Sequence, residues 1–318
     1  MSNSIQNKID FALVIGVNHA NPNGDPLNAN RPRQTIDRLG EISDVCLKRK
    51  MRNRLLAMGE EIFVQSDDNR SDEYRSLKAR FDASGIKKEE VRIEGPQKWF
   101  DVRAFGQLFA FKKKDAKGKS KVKVDEEATE SDSSSGDTDA VSVGIRGPVT
   151  IQSAYSLEPI VPESIQITKS VNLELEKGQD PDKKGSDTMG LKHRVSSAVY
   201  VTYGAITPQL ASKTGFSDED AEKIKLALQS LFEGDASAAR PEGSMEVLHV
   251  IWCKHSSSCG QYSSAHVHRA IKAAIKAAVD KAGDVAKETI EKALPGLKIE
   301  VLEALEGDAL AALPRREK

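Results

Sequence analysis

The chain has 318 residues and almost equal numbers of basic and acidic residues, 47 Lys plus Arg against 48 Asp plus Glu. This length suffices for one large domain or two modest ones, and the charge balance excludes a uniform coat of positive charge while allowing a local basic groove. Three cysteines are too few for a disulfide framework and suit a reducing compartment. Without a signal-peptide pattern or an apolar run of membrane-spanning length, we expect a cytoplasmic protein with no membrane contact.

The first predicted strand is a short apolar run over residues 11–17, bounded by turn residues. The Asn- and Pro-rich loop over 18–33 indicates turns with exposed amides. Residues 44–54 predict a helix, because Leu47 and Met51 begin an apolar series at three- and four-residue steps. Basic residues lie beside that face, and no acidic residue occurs between Asp44 and Gly59. We therefore expect a concave surface with a positive wall that fits phosphate, although a solvated basic face is the alternative.

The middle of the chain contains a segment that is predicted to pack at the periphery, followed by a highly charged segment. Residues 59–98 predict helices and loops, and the five aromatic residues within 99–111 indicate an anchor to the core, with base stacking as the alternative. Residues 112–140 are lysine-rich and then Asp-, Glu- and Ser-rich, with almost nothing to bury, which predicts a flexible charged loop. That loop is either simply solvated or a tether that touches nucleic acid.

Three further strands complete the predicted sheet. Residues 141–155 form the second strand, with Arg146 at its start, and 195–206 and 245–253 form the third and fourth. Residues 157–194 predict a protruding arm with a flexible tip. Helices are expected from Ser217 to about 232 and over 263–282, with one short element near the end. The order of strand, helix, strand, strand, helix, strand is typical of a ferredoxin-like α+β fold, as in RNA-recognition modules.

A nucleic-acid strand is the ligand that the polar and basic residues fit best. Asn side chains and backbone amides contact phosphate and 2′-hydroxyl groups, and Lys and Arg supply countercharge. In the arm, Met189 or Leu191 can wedge against a base, or the two can simply anchor the arm. The predicted RNA-binding residues are Asn21, Asn23, Arg31, Arg33, Lys48, Arg49, Arg52, Arg146, Gln152, Ser153, Lys169, Met189, Lys192, His193 and Arg194.

Catalytic or metal chemistry has weaker support. The chain lacks a His-Glu-x-x-His helix, a Gly-x-Ser-x-Gly elbow and a dinucleotide glycine pattern. Five metal-capable residues crowd one region: Cys253, His255, Cys259, His266 and His268. Their spacing matches no standard structural zinc site, so we expect ordinary packing, with no metal and no cofactor. His19, Asp25 and His193 are the candidates for catalysis, but each has a simpler explanation as a hydrogen-bonding or turn residue.

Several ordered motifs resemble one known family. The loop and helix over 18–54 are followed by Phe-Asp-Val-Arg-Ala-Phe-Gly at 100–106, Ile-Arg-Gly-Pro-Val at 145–149 with Gln152 and Ser153, Met-Gly-Leu-Lys-His at 189–193, and the stretch 249–268. In this order they are similar to the guide-RNA-binding backbone subunit of type I-C CRISPR Cascade complexes, a member of the RAMP superfamily. The resemblance covers roughly residues 8–270. The charged run at 112–140 and the cysteine at 259 depart from it.

The resemblance implies a hand-like single domain over residues 1–318. A ferredoxin-like (RRM-like) palm would carry fingers at 36–111, a flexible charged loop at 112–140, a thumb at 157–194 and a C-terminal helical region at 262–318. It further implies a non-catalytic protein of antiviral defence. Copies would line up head to tail along the crRNA, present its bases to target DNA and contact other Cascade subunits.

Two other functions remain open at this level. A RAMP-type endoribonuclease that processes CRISPR RNA would use His19 or His193, whereas a protein-binding adaptor would have no affinity for RNA.

Overall fold

The computed structural model describes residues 4–111, 141–169, 188–280 and 283–314. The strands are β1 (Ile9–Ala20), β2 (Gly24–Asp25), β3 (Arg31–Pro32), β4 (Leu39–Ile42), β5 (Gly106–Phe111), β6 (Val141–Arg146), β7 (Val149–Ile151), β8 (Ala154–Pro159), β9 (Glu163–Lys169), β10 (Thr188–Ile206), β11 (Met245–Lys254) and β12 (Lys298–Leu302). The helices are α1 (Asp44–Ala57), α2 (Leu77–Ala83), α3 (Val91–Lys98), α4 (Phe100–Phe105), α5 (Pro208–Thr214), α6 (Asp218–Gln229), α7 (Ser264–Asp280), α8 (Lys287–Ala293) and α9 (Gly307–Ala311), with a 3₁₀ turn at Pro26–Asn28.

A large antiparallel sheet organises this mixed α/β structure. Within the described ranges eight strands join it, in the order β12-β11-β1-β10-β8-β4, with β7 and β9 also paired to β10. β1 lies at its centre and pairs with β10 from Ile9 opposite Ile206 to Ala20 opposite Val195. The first, third and fourth predicted strands are thus confirmed as the neighbours β1, β10 and β11 of one sheet, and β1 and β10 are longer than the sequence indicated.

Helices cover both faces of the sheet. Side chains at odd positions of β1, such as Phe11 and Leu13, pack with α1 and α6 in one core, while Ala12 and Val14 pack with α7 in a second core. This alternation follows from the two-residue period of a strand. RNA-recognition modules stack bases on one open sheet face. Here α7 packs on that second face, against Ala12 and Val14.

The aromatic segment that follows α3 anchors a third core. Phe63, Phe81, Trp99 and Phe109 pack together there, with the Phe63 and Trp99 ring centroids 4.6 Å apart. The packing interpretation of residues 99–111 is therefore confirmed. We call these residues and the β5–β6 hairpin beside them the peripheral cluster.

The second predicted strand, residues 141–155, was wrong as one continuous element. It divides into β6, which pairs with β5 outside the main sheet, and β7 and β8, which pair with β10. The first break has a steric cause, because a Cβ on Gly147 would lie 2.2 Å from the Ala104 carbonyl oxygen and Pro148 has no N–H to donate. Arg146 consequently ends β6 rather than beginning a sheet strand.

Within the predicted arm at 157–194, residues 163–169 and 188–194 form an antiparallel pair, with Glu163 opposite Arg194 and Lys169 opposite Thr188, whereas residues 157–159 belong to β8 of the main sheet. We use arm for β9 together with residues 188–194 of β10. The predicted flexible tip and the predicted charged loop at 112–140 lie outside the described residues. None of the helices in the described ranges has both the length and the apolarity to span a membrane.

Candidate nucleic-acid interface

Two asparagines brace the loop that follows β1 from within. The Asn21 side chain is buried and its Nδ2 donates to the Asn30 carbonyl at 2.7 Å. Asn23 Oδ1 accepts from both the backbone N–H and the hydroxyl of Ser43, each at 2.9 Å. Since Ser43 also caps α1, Asn23 joins the loop to the start of that helix. Both asparagines therefore shape the surface that neighbouring residues present.

The outer side of the loop projects into solvent. Leu27 is 98% exposed, and Arg31 is also exposed. The backbone between them turns sharply, since Ala29 and Asn30 have φ values of 49° and 57°. Asp25 holds this turn by accepting from the Leu27 N–H at 3.2 Å. The loop thus presents an apolar side chain and a cation together.

A second projection, the turn after β3, gave no signal in the sequence. Ile36 at its tip is 97% exposed, and Arg38 is exposed with a φ of 63°. Gln34 Nε2 donates to the Ile160 carbonyl at 2.8 Å, and the Ile160 N–H donates to the Arg38 carbonyl at 2.9 Å. These bonds place the turn beside the start of the arm. The position of this turn beside the arm follows from the tertiary contact with Ile160 and not from the local sequence.

Acidic residues from distant segments accompany the predicted basic wall of α1. Lys48 Nζ lies 3.1 Å from Asp44, and Arg49 lies 4.0 Å from Asp68. Arg52 Nε donates to the buried carboxylate of Asp101 at 2.9 Å. The stretch from Asp44 to Gly59 contains no further acid, yet the fold supplies two of these three carboxylates from elsewhere. The wall is therefore less positive than its local sequence indicated.

The base of the arm contains a polar cluster. Glu163 accepts from Arg194 Nε at 2.9 Å and from the Ser196 hydroxyl at 2.8 Å, and these hydrogen bonds lower the pKa of its carboxyl. His19 Nδ1 lies 2.9 Å from the Ser196 carbonyl oxygen. Arg33, in the loop, lies 3.6 Å from Asp25. The cluster connects the end of β1 to the first residues of the arm.

Farther along the arm, apolar side chains face solvent. Met189 is 72% and Leu191 is 62% exposed. Lys169 is exposed and Lys192 half-buried, and neither is ion-paired within the described ranges. Exposed aliphatic side chains beside cations are suited to contact bases and phosphates of one strand.

The remaining predicted RNA-binding residues, Gln152 with Ser153 and Arg146, lie in two different parts of the structure. Ser153 precedes Ala154, which pairs with Ile42, so Ser153 lies beside the start of α1, next to the exposed Gln152. Arg146 lies near the C-terminal end of β10, at Ile206. The carbonyl of Pro148, two residues after Arg146, accepts there from the N–H of Thr207. The arm continues from the opposite end, at Val195. Val195 and Ile206 are therefore separated by roughly 36 Å along β10, at about 3.3 Å per residue.

Comparison with known proteins decides the family. A family model described as CRISPR-associated protein Cas7 matches residues 7–292. The chain belongs to the Cas7 family.

Individual relatives are more distant. The CRISPR-associated protein Cas7 of Haloferax volcanii is 39% identical over 66 residues, which are 20% of this chain and 19% of that protein. The match thus spans about a fifth of the relative's length. Two solved chains are described as parts of CRISPR RNA-guided surveillance complexes. One is 14% identical with a TM-score of 0.44 and covers 98% of this chain and 94% of its own length. The other, from a pre-nicking complex, is 13% identical with a TM-score of 0.38 and covers 77% and 78%.

The three catalytic candidates of this Cas7-family chain have structural partners. His193 is buried and its Nδ1 lies 2.9 Å from the Ser164 hydroxyl. His19 contacts a backbone carbonyl, and Asp25 holds the turn of the loop. His193 thus contacts a side-chain hydroxyl, whereas His19 and Asp25 contact backbone groups.

Two of the crowded histidines of the Cas7-family chain, His255 and His268, contact the buried carboxylate of Asp10. His255 Nε2 lies 2.8 Å from Asp10 Oδ2, and the Gln261 N–H donates to His255 Nδ1. Lys8 Nζ lies 3.1 Å and His268 Nε2 lies 3.7 Å from Asp10. Among the residues that the structure describes, no group of three or more His, Cys, Asp or Glu is arranged to hold a metal ion. The cluster fastens the start of α7 to β1.

Proposed function

We propose that this Cas7-family chain is the non-catalytic backbone subunit of a type I-C CRISPR surveillance complex of the Cascade kind and that it works in the cytoplasm. The observation that carries the proposal is the convergence of the loop after β1, the turn after β3 and the arm. Cations and nearly fully exposed aliphatic side chains occur together on these projections. Such a surface is suited to the backbone and bases of an RNA strand.

The sheet supports a ferredoxin-like palm. The strands β11, β1, β10 and β8 are adjacent in that order, so the first strand lies between the third and fourth of the predicted series. Helices α1 and α6 pack on the same face, as the two helices of that fold do. In this proposal residues 36–111 are the fingers, 157–194 the thumb and 262–318 the C-terminal helical region. The peripheral cluster is then the core of the fingers.

The proposed path of the crRNA follows from what is exposed. Arg31 and Lys192 carry no ion pair within the described residues and would neutralise phosphates, while Met189 or Leu191 would press against a base. Asn21, Asn23 and His193 would act by holding the loop and arm in place. Because α7 covers the second sheet face, the strand would cross the end of the sheet and leave its other bases free for target DNA.

Assembly with further copies and with other Cascade subunits is part of the same proposal. The arm extends β10 seven residues beyond Val195, the residue that pairs with Ala20 at the end of β1. An element that projects from one copy and contacts a different surface on the next makes a heterologous interface, which extends into an open filament where the rotation between copies does not close a ring. Head-to-tail copies along one crRNA fit this geometry.

Native mass and the ratio of absorbance at 260 and 280 nm, before and after ribonuclease, test the proposal. We expect large RNA-containing particles that shrink on digestion. Arg31→Ala with Lys192→Ala should weaken binding of all single-stranded RNA sequences alike and flatten its salt dependence. Lys78→Ala, an exposed cation on α2, is the control. A nucleic-acid-free monomer that ignores added RNA would refute the proposal, as would cleavage of repeat RNA that is lost in His19→Ala or His193→Ala.

A further inference from the structure

A second basic surface lies away from the loop and arm. An open groove of about 1000 Å³ separates α3, β6 and α5. Its cations are Arg92, Arg146 and Lys213, one from each element, and no Asp or Glu lines it.

Among the described residues, no acidic side chain pairs with the three cations of this groove. Arg92, Arg146 and Lys213 are exposed, and within the described ranges none of them has a carboxylate within ion-pair distance. On α1, by contrast, Lys48, Arg49 and Arg52 each have an acidic partner. The nearest acid beyond α5, Asp218, already pairs with Lys254 at 2.8 Å. A concave surface with three exposed cations concentrates anions.

The shape of the groove favours a polymer of phosphates. Its cations come from three different elements, so a single small anion cannot meet all of them, whereas successive phosphates of one strand can. Gly144 and Gly215 leave parts of the wall without side chains, and a Cβ on Gly215 would meet nothing within 4 Å. Backbone can therefore be approached closely there. Ile93, 67% exposed, offers an apolar contact for a base or sugar.

We propose that this groove binds the phosphate backbone of a nucleic-acid strand at a second site, separate from the loop and arm. The two sites lie toward opposite ends of β10, roughly 36 Å apart at about 3.3 Å per residue, so one short strand cannot occupy both. An acidic protein surface is a weaker fit, because specific protein interfaces have apolar centres from which charges are depleted. The ligand chemistry is a phosphodiester chain, whether RNA or DNA.

The test uses the full chain loaded with RNA and then titrated with a fluorescent strand. The variant is Arg92→Ala with Lys213→Ala, and the matched control is Arg269→Ala with Lys272→Ala on exposed positions of α7. Single-stranded RNA, single-stranded DNA and duplex DNA are titrated separately between about 50 and 200 mM salt. Thermal unfolding of both variants verifies that they fold.

We expect the parent chain and the α7 control to bind a second strand after loading. The groove variant should load RNA normally but bind the second strand at least tenfold more weakly, with a salt slope smaller by about 1.4, as expected for two lost contacts to a single strand. The strand type that binds most tightly identifies the natural source. Equal binding by parent and groove variant would overturn the inference and favour an acidic protein partner. Equal loss in both variants would overturn it as well. Failure to load RNA at all would instead refute the proposed function.

Discussion

Arg52 donates a hydrogen bond of 2.9 Å to the carboxylate of Asp101, which is itself only 1% exposed. Asp101 also accepts from the backbone N–H groups of Phe63 and Val64, at 2.7 and 3.1 Å. One carboxylate thus fastens helix α1 to the chain segment that enters the peripheral cluster. A cation that the sequence assigned to an RNA-facing wall is, in the structure, a brace between two parts of the core.

Arg52→Ala is therefore expected to act on stability first. Asp101 would keep its two backbone donors but lose its charged partner, which we expect to lower the free energy of unfolding by about 2–3 kcal/mol. Arg49→Ala is the control, because its partner Asp68 is exposed and 4.0 Å away, and its effect should stay within about 0.5 kcal/mol. Urea denaturation measures both. Unchanged stability together with weakened RNA binding in Arg52→Ala would show instead that this residue contacts RNA.

The main elements were predictable because their patterns are local. The apolar run of β1, the helical spacing of α1 and the Ser217 capping box of α6 all occur in the structure. The error at residues 141–155 has a different origin. Its alternating pattern is continuous in sequence, and the break after Arg146 depends on contact with Ala104, far away in the chain. The short edge strands β4 and β12 were likewise not predicted as strands of the sheet, because they are defined by pairing with β8 and β11 rather than by a local pattern.

The candidate site was predictable only in outline. The Asn-rich loop and the arm gave clear signals, and both exist as projections. The carboxylates of Asp68 and Asp101 that accompany α1 come from other segments, so no local count of charges could have included them. The exposure of Ile36 depends on the position of its turn, and a lone isoleucine in sequence indicates a buried side chain.

The three cysteines should react at very different rates. Cys259 is exposed, whereas burial raises the pKa of Cys253 to about 12 and also raises the pKa of the half-buried Cys46. Because the thiolate is the reactive form, we expect one fast equivalent with a thiol reagent near pH 8 and three after denaturation. Cys259→Ser should abolish the fast phase. A second fast equivalent in native protein would show that Cys46 or Cys253 is accessible to the reagent and would contradict the prediction.

His268 should make the protein less stable in mild acid. Burial lowers its pKa, and this effect outweighs the opposing influence of Asp10 and of the Gly204 carbonyl. In the unfolded chain the pKa is about 6.5, so below that pH the unfolded state binds a proton that the folded state resists. Stability from neutral His268 is therefore present at pH 7.5 and is lost progressively as the pH falls through about 6.5 toward the lower folded pKa.

Urea denaturation at pH 7.5 and 5.5 checks this, with His268→Gln expected to reduce the difference between the two pH values. Asp10 does not interfere in this window. Burial raises its pKa, but hydrogen bonds from His255, Ser264 and Lys8 more than compensate, so the net pKa is lowered. Its contribution is retained above about pH 4, the unfolded value, and is lost only in stronger acid. An identical pH dependence in parent and variant would contradict the assignment to His268.

Gly106, where α4 passes into β5, should tolerate no side chain. Its φ is 79°, and an added Cβ would lie 2.2 Å from the Ile145 carbonyl oxygen and 2.6 Å from the Gly147 nitrogen. Gly85 has a similar φ of 75°, but a Cβ there would meet nothing within 4 Å. Gly85→Ala therefore reports the backbone strain alone, about 1–2 kcal/mol. Gly106→Ala adds a collision between two backbones.

We expect Gly106→Ala to cost clearly more than Gly85→Ala in urea denaturation, and to disturb the environment of Trp99, which packs against Phe63 and Phe109 beside the β5–β6 hairpin. Tryptophan fluorescence of the native state should therefore change for Gly106→Ala and not for Gly85→Ala. The reason is geometric: the β5–β6 register places Gly106 opposite Arg146, so separating the two backbones would also shift the last residue of β6 and the groove that it lines. Equal losses at the two glycines would mean that the hairpin can move without cost, and the peripheral cluster would then be held by its aromatic side chains alone.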